Sequence, residues 1–557
     1  MMNPATPSSP GSGSPRPSVR AGAISGLITA AAAMGVAQLV AGLTTPASSP
    51  VLAVGQAVID ATPLPVKDWA TSTFGTGDKT VLVGGVLVLL FAFAAGIGIV
   101  AMRRLAAGLA GLAVFGVIGL AAVLTRPDSA GSWIWPTLIG AAAGAFALTM
   151  LTRTAPLAYP NGRPGGAAPR ELPPIIFGGE PATAEVDPAA GHGDLDAARS
   201  RRAFLTTAGV TLIAAAAGEV GGRQLATRHN VSVARSAIRL PGAARPVPPL
   251  PAGIDPKVPG ISSFISPNSS FYRIDTALLP PQVDPHGWSL RIHGMVAREV
   301  RLNFAQLLRM PLLEDYITLC CVSNPVGGPY IGNAKWLGTS LAALLRRAGP
   351  LAGADQLLCT SVDGFTSGTP LAVAMDGRDA LLAVGMNGSA LPVEHGFPAR
   401  LVIPGLYGYV SACKWVTDIE VTTFAKAQAY WVPRGWSQQG PIKTESRIDV
   451  PASGSTAGPG RVTVAGVAWA QHKGVDAVEV RVNGGPWQRA TLAAVPGIDT
   501  WRQWTWEWDA TGHPGGSYLL EARATDATGY TQTSLVAGVA PNGASGYPQV
   551  TVNLQAS

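Results

Sequence analysis

The N-terminal part of the chain is a series of charge-free apolar runs separated by more polar connections of uneven length. Runs at 21–43, 80–102, 105–124 and 133–152 each reach about the 20 residues that a helix needs to cross a bilayer. A fifth, 203–218, is shorter and ends at Glu219; it is predicted as a fifth span. The first run is too long for a cleavable signal peptide, and more spans follow it. Arginines collect in alternate connections: Arg16 and Arg20, then Arg103 and Arg104, then Arg153, Arg163, Arg170, Arg199, Arg201 and Arg202. The intervening connections hold only Lys67, Lys79 and Arg126. The positive-inside tendency therefore predicts a cytoplasmic N-terminus, and five crossings put everything after about residue 222 outside the cytoplasmic membrane.

The pattern then divides the rest of the chain. Residues 1–20 read as a disordered cytoplasmic tail, 21–222 as a membrane domain with a cytoplasmic linker at 153–202, and 223–259 as a proline-rich linker. Residues 260–453 mix short β-type runs such as "WSLRIHGMV" and "ARLVIPG" with helical pieces such as "LAALLRRAG", an α+β pattern. From 454 to 557, "RVTVAGVAWA", "AVEVRVNGG" and "SYLLEARATDA" alternate at period two, predicting an all-β immunoglobulin-like sandwich of about seven strands. "GHPGG" at 512–516 falls between two such strands and reads as a hairpin turn.

Composition supports the membrane portion: 47% of residues are hydrophobic and only 13% charged, against roughly 25% charged in soluble domains. The net charge of +7 comes without a basic stripe, which argues against nucleic acid as a partner. Ahead of the fifth run, "SRRAFL" at 200–205 resembles a twin-arginine export signal; plain positive-inside flanking is the alternative. The four cysteines, Cys320, Cys321, Cys359 and Cys413, are too few for a disulfide framework and lack CxxC spacing.

Two of them are adjacent, in "DYITLCCVSNPVGG". A thiolate at a strand end beside glycines suits a soft metal, whereas the bland alternative is a pair of buried small residues. The segment resembles the core of the sulfite oxidase family of molybdopterin enzymes, in its membrane-anchored actinobacterial form, where a cysteine in a C-x-S-N turn ligates molybdenum. Cys321 and Asn324 occupy that pattern; Cys320 falls in the preceding strand. "ISPNSSFYRIDT" resembles the family's pterin-contacting stretch and nominates Asn268, Tyr272 and Arg273. "LPVEHGFPARLVIPGLYGYVSACKW" resembles a further family block; by resemblance His395, Arg400, Ser411 and Lys414 contact the pterin edge and phosphate. "CTSVDGFTSGTP" matches more loosely and adds Ser361 as a pterin contact, with Asp363 beside it. In "YWVPRGWSQQGPIKTESRID", Arg434 and Lys443 either bring positive charge to the substrate as catalytic groups or brace the junction between domains.

The resemblance spans roughly 260–535. It implies one molybdenum–pyranopterin per chain, ligated by Cys321, and oxo transfer that oxidises sulfite or a related sulfur compound. Reduction of S-oxides or N-oxides on the same centre is the alternative. It also implies a homodimer through the sandwich and an external cytochrome or membrane partner as electron carrier. None of the seven histidines lies in an apolar run, so no haem is expected in this chain. The competing non-enzymatic reading is a membrane-anchored binding module.

Overall fold

The structure, a computed structural model, describes residues 16–74, 77–126, 129–155, 157–158 and 189–556. Most of the expected tail, most of the 153–202 linker and the last residue lie outside that range. The chain forms two units, Met1–Ala61 with Thr73–His229, and Thr62–Ser72 with Asn230–Ser557.

In the first unit, five helices are long and apolar enough to cross a membrane: Val19–Leu43, Lys79–Arg103, Leu105–Leu124, Gly131–Thr154 and Arg201–Ala226. They match the five runs. The last extends past Glu219, whose Oε1 accepts from Arg223 Nε at 2.7 Å one turn on. The first helix packs against three of the others. Glycine permits this: a Cβ on Gly26 would sit 1.9 Å from the Ala94 carbonyl oxygen, and one on Gly35 2.3 Å from that of Ala215. Two shorter helices, Pro50–Ala61 and Leu64–Phe74, occupy the first connection, where the hydropathy pattern shows only a loop.

The second unit opens with the α+β region. One sheet runs Ser389–Ala390, Leu381–Met386, Ile331–Ser340, Leu312–Cys320, with Arg400–Val402 also paired to Leu381–Met386. The other runs Val300–Asn303, Ser289–Gly294, Val416–Thr422, Gln356–Ser361, Thr366–Pro370. Burial explains the unbroken apolar strand Leu381–Met386, every residue of which is buried. The helical piece is Leu341–Ala348. Ser340 caps it, Arg346 and Arg347 stand exposed in its last turn, and Gly349 ends it at φ 70°.

The C-terminal region is a two-sheet sandwich. One sheet holds Glu445–Val450, Arg461–Trp469, Arg502–Asp509 and Thr491–Leu492; the other holds Ser455–Ala457, Gln549–Leu554, Gly516–Asp526, Val475–Val482 and Gln488–Arg489. Val464, Trp504, Leu520 and Val552 fill its core. Asn483 and Gly484, at φ 48° and 70°, form the tight turn joining Val475–Val482 to Gln488–Arg489. "GHPGG" is a turn but not a hairpin. It links Arg502–Asp509 in one sheet to Gly516–Asp526 in the other, with His513 packed edge-on against Trp508 and Tyr518.

Glu445, on the first strand of the sandwich, is buried, and its Oε1 has no hydrogen-bond partner among the described residues. Burial pushes its carboxyl up to about 8 from an ordinary 4.5, against the opposing charge of Lys443. A raised folded-state value means that this residue's favourable contribution is whole below about 4.5 and is lost as the pH rises through about 8. Glu445→Gln is therefore expected to raise the thermal midpoint on the order of 5 °C at pH 9 and to leave it nearly unchanged at pH 4. Scanning calorimetry at both pH values checks this; an equal shift at both would show that ionisation is not the cause.

Candidate active site

The strand Leu312–Cys320 delivers the adjacent cysteines to opposite sides. Cys320 is wholly buried in the main core, with Leu406, Tyr407 and Val410. Cys321, one residue past the strand, lines a cleft of about 930 Å³ that is open to solvent. The turn after it is tightly braced. Cys321 N donates to Tyr330 O at 2.9 Å, Asn324 N donates to Cys321 O at 3.1 Å, and Asn324 Oδ1 accepts from Tyr330 N at 2.8 Å. A side chain at Gly328 would meet Asn324 Oδ1 at 2.6 Å, so glycine is needed there for the asparagine to close the turn. Burial raises the Cys321 thiol, while the backbone N–H and hydroxyl of Ser323, and then the charge of Lys414, favour the thiolate.

Opposite the cysteine, the block 391–415 supplies a buried basic cluster. Arg400 opens strand Arg400–Val402; its Nη1 donates to His395 O at 3.0 Å, and its guanidinium lies 5.2 Å over the Trp336 ring. Burial lowers it to about 10. Lys414 Nζ sits 2.6 Å from Asp275 Oδ2 and donates to Glu394 O at 3.1 Å; burial lowers it to about 8 although Asp275 opposes the shift. The same Asp275 accepts from Arg273 Nε at 2.9 Å, so one carboxylate ties two cations side by side. Gly396, at φ 107°, lets the segment fold back; a Cβ there would lie 2.9 Å from Arg400 Cβ and 3.1 Å from Lys414 Cβ. His395 Nε2 lies 3.3 Å from Asn268 O. Burial, then Arg400 and Lys414, push its imidazole down to about 3, so it is neutral at physiological pH.

The cleft brings Tyr272, Cys321, Ser361, His395, Arg400 and Lys414 together. Arg273 adjoins through Asp275, and Asn268 through His395; the Asn268 side chain is itself held by Asn387, whose Nδ2 donates to Asn268 Oδ1 at 2.8 Å. Asn324 and Ser411 lie behind the lining: Asn324 braces the turn, and the Ser411 hydroxyl donates to Leu406 O at 2.9 Å. Arg434 and Lys443 are outside it. Arg434 stacks 3.7 Å over the Tyr430 ring, and Lys443 Nζ donates to Gly543 O at 2.5 Å, a contact across the domain junction. Residues that sequence reasoning did not single out also line it, among them Asp275, Phe365, Tyr409, Trp431 and Trp436, from four separate segments. The aromatics in "YWVPRGW" carried the only local signal for any of these.

These residues fit a molybdenum–pterin. A soft sulfur faces two buried cations suited to a phosphate and a neutral imidazole suited to a pterin edge. The Ser361 hydroxyl, buried and lining the cleft, has no hydrogen-bond partner among the described residues.

Residues 277–431 match the family described as oxidoreductase molybdopterin binding domain, and residues 445–522 match the bacterial Ig domain. The chain is 30% identical to sulfite oxidase of Gallus gallus over 50% of this chain and 70% of that protein. It is 30% identical to mitochondrial sulfite oxidase of Mus musculus over 41% of this chain and 49% of that one, about half the mammalian protein's length. It is also 30% identical to the uncharacterized oxidoreductase YuiH of Bacillus subtilis (strain 168) over 32% of this chain and 89% of that one. With the cleft's thiol and basic cluster in the matched region, the chain belongs to the sulfite oxidase family of molybdopterin-dependent oxidoreductases.

Proposed function

We propose that this chain is a membrane-anchored oxidoreductase that oxidises sulfite or a related sulfur compound at a molybdenum–pterin centre held by Cys321. The carrying observation is that Cys321, and not Cys320, faces the cleft that also holds Arg400, Lys414 and His395. When bound, the cofactor supplies two-electron redox and oxygen-transfer chemistry. Cys321 would hold the metal. Arg400 and Lys414 would bind the pterin phosphate, and neutral His395 with Ser361 would hydrogen-bond the pterin. Oxidation of sulfite with water to sulfate releases two protons and two electrons. Asp363 lines the cleft with its carboxyl raised by burial, which suits it to accept one proton. The electrons leave singly to an external cytochrome or a membrane partner.

A second reading, reduction of S-oxides or N-oxides, draws support from the cleft's outer wall. Phe365, Tyr409, Trp431 and Trp436 form it, and such a wall favours an organic substituent over a bare dianion. The loops support one sidedness. Residues 62–72, between the first two spans, group with the catalytic unit, which favours one side of the membrane for both. With the arginine pattern, this supports an extracytoplasmic catalytic unit. Arg201 and Arg202 are exposed on their helix, open to a twin-arginine receptor.

The deciding experiment is molybdenum content with two assays on the purified protein. Near one molybdenum per chain and sulfite-dependent reduction of ferricytochrome c support the first reading. Viologen-driven reduction of dimethyl sulfoxide without sulfite oxidation supports the second. Absence of molybdenum would sink both and leave the binding module. A C-terminal alkaline phosphatase fusion should be active; an inactive one would contradict the sidedness.

A further inference from the structure

The wall of the cleft is a run of rings. Phe365 lies 5.6 Å from Tyr430, Tyr430 lies 5.1 Å edge-on to Trp431, and Trp431 lies 6.2 Å edge-on to Trp436. Trp431 and Trp436 face the cleft directly. Two cations hold this run. One is Arg434, over the Tyr430 ring. The other comes from a distant part of the sequence: Lys67 Nζ sits 5.2 Å from the Trp431 ring centroid and 5.8 Å from that of Tyr430. Lys67 is on the helix Leu64–Phe74, in the connection between the first and second spans, and residues 62–72 group with the catalytic unit. Its ammonium is buried from bulk water. A cation over an indole or phenol face is stabilising, more so when desolvated. In the cleft itself, Asp275 ties Lys414 and the adjoining Arg273, and backbone carbonyls hold Arg400.

We infer that Lys67 is a substrate-positioning residue contributed by the membrane domain's first loop. It fixes Trp431 as the wall of the cleft and places a positive charge behind that wall, favouring an anionic substrate. The inference rests on reading the cleft as the substrate site. It goes beyond that reading because it makes the connection between the first two spans a component of the site, so residues 230–557 without that connection would bind substrate less well.

The test uses the full-length, molybdenum-loaded protein in detergent, with sulfite as the anionic probe and dimethyl sulfoxide as the neutral one. Lys67→Met is expected to raise KM for sulfite roughly fivefold with kcat per bound molybdenum unchanged, and to leave KM for dimethyl sulfoxide within about twofold. Lys67→Arg, which keeps the charge over the ring, should restore the wild-type KM. A helix that serves only as a strap would lower stability or molybdenum content in both variants without this split. Unchanged KM for sulfite in Lys67→Met, or an equal rise for both probes, would overturn the inference. If the wild type turns over neither probe, the functional reading fails. Sulfate affinity by calorimetry then decides the inference separately: weaker binding in Lys67→Met upholds it, and equal or absent binding in both proteins overturns it.

Discussion

Cys321→Ser is expected to abolish turnover, lowering kcat by at least roughly a thousandfold, while the pterin stays bound. The substitution replaces a soft donor by a hard hydroxyl that stays protonated at neutral pH. The basic cluster is independent of it: Arg400, Lys414 and Arg273 are held by Asp275, His395 O and Glu394 O, none of which touches the sulfur. Cys320→Ser should behave differently. Its side chain is fully buried in the main core, where its thiol makes only a long contact, 3.5 Å, to Cys321 O, so a hydroxyl there costs about 1–3 kcal/mol of stability if it finds no closer partner. Activity per bound molybdenum should be unchanged. Successive side chains on a strand point to opposite faces, which is why neighbours one residue apart are assigned such different consequences.

The second large effect concerns the cofactor's anchor. Arg400→Met removes a buried guanidinium whose bonds to a phosphate would be charge-assisted, worth about 1.5–3 kcal/mol. Pterin content of the purified protein should fall roughly ten- to a hundredfold, read from the fluorescence of the pterin released by acid oxidation. Arg434→Met is the matched control, because Arg434 stacks on Tyr430 outside the lining. Its pterin content should equal the wild type's. If Arg400→Met keeps its pterin, the phosphate is not held by this cluster.

Several features were legible in the sequence because they depend on local order. Charge-free runs of sufficient length appear as the five long helices. "LAALLRRAG" has its serine cap before it and its glycine after it, and forms the helix Leu341–Ala348. The asparagine three residues after Cys321 selected that cysteine, and in the structure its side chain closes the turn that carries it. Other features depend on what the fold brings together. Asp275 pairs with Lys414 across 139 residues, so no spacing marks it as the partner of two cations. The aromatic wall is assembled from segments around 365, 409 and 431–436. Lys67 read as one of the few charges in a base-poor connection; nothing near it in sequence shows that its short helix packs with Trp431. "GHPGG" lies between two alternating strands, which a hairpin would explain equally well. Only pairing with other strands sends its two neighbours to different sheets.

In the proposed centre, Cys321 supplies one of the sulfurs at the metal. X-ray absorption at the molybdenum edge, recorded on the full-length protein and on the two cysteine variants, tests it most directly. Three sulfur neighbours at molybdenum are expected in the wild type and in Cys320→Ser, and two in Cys321→Ser. Three sulfurs retained in Cys321→Ser, or one lost in Cys320→Ser instead, would contradict it.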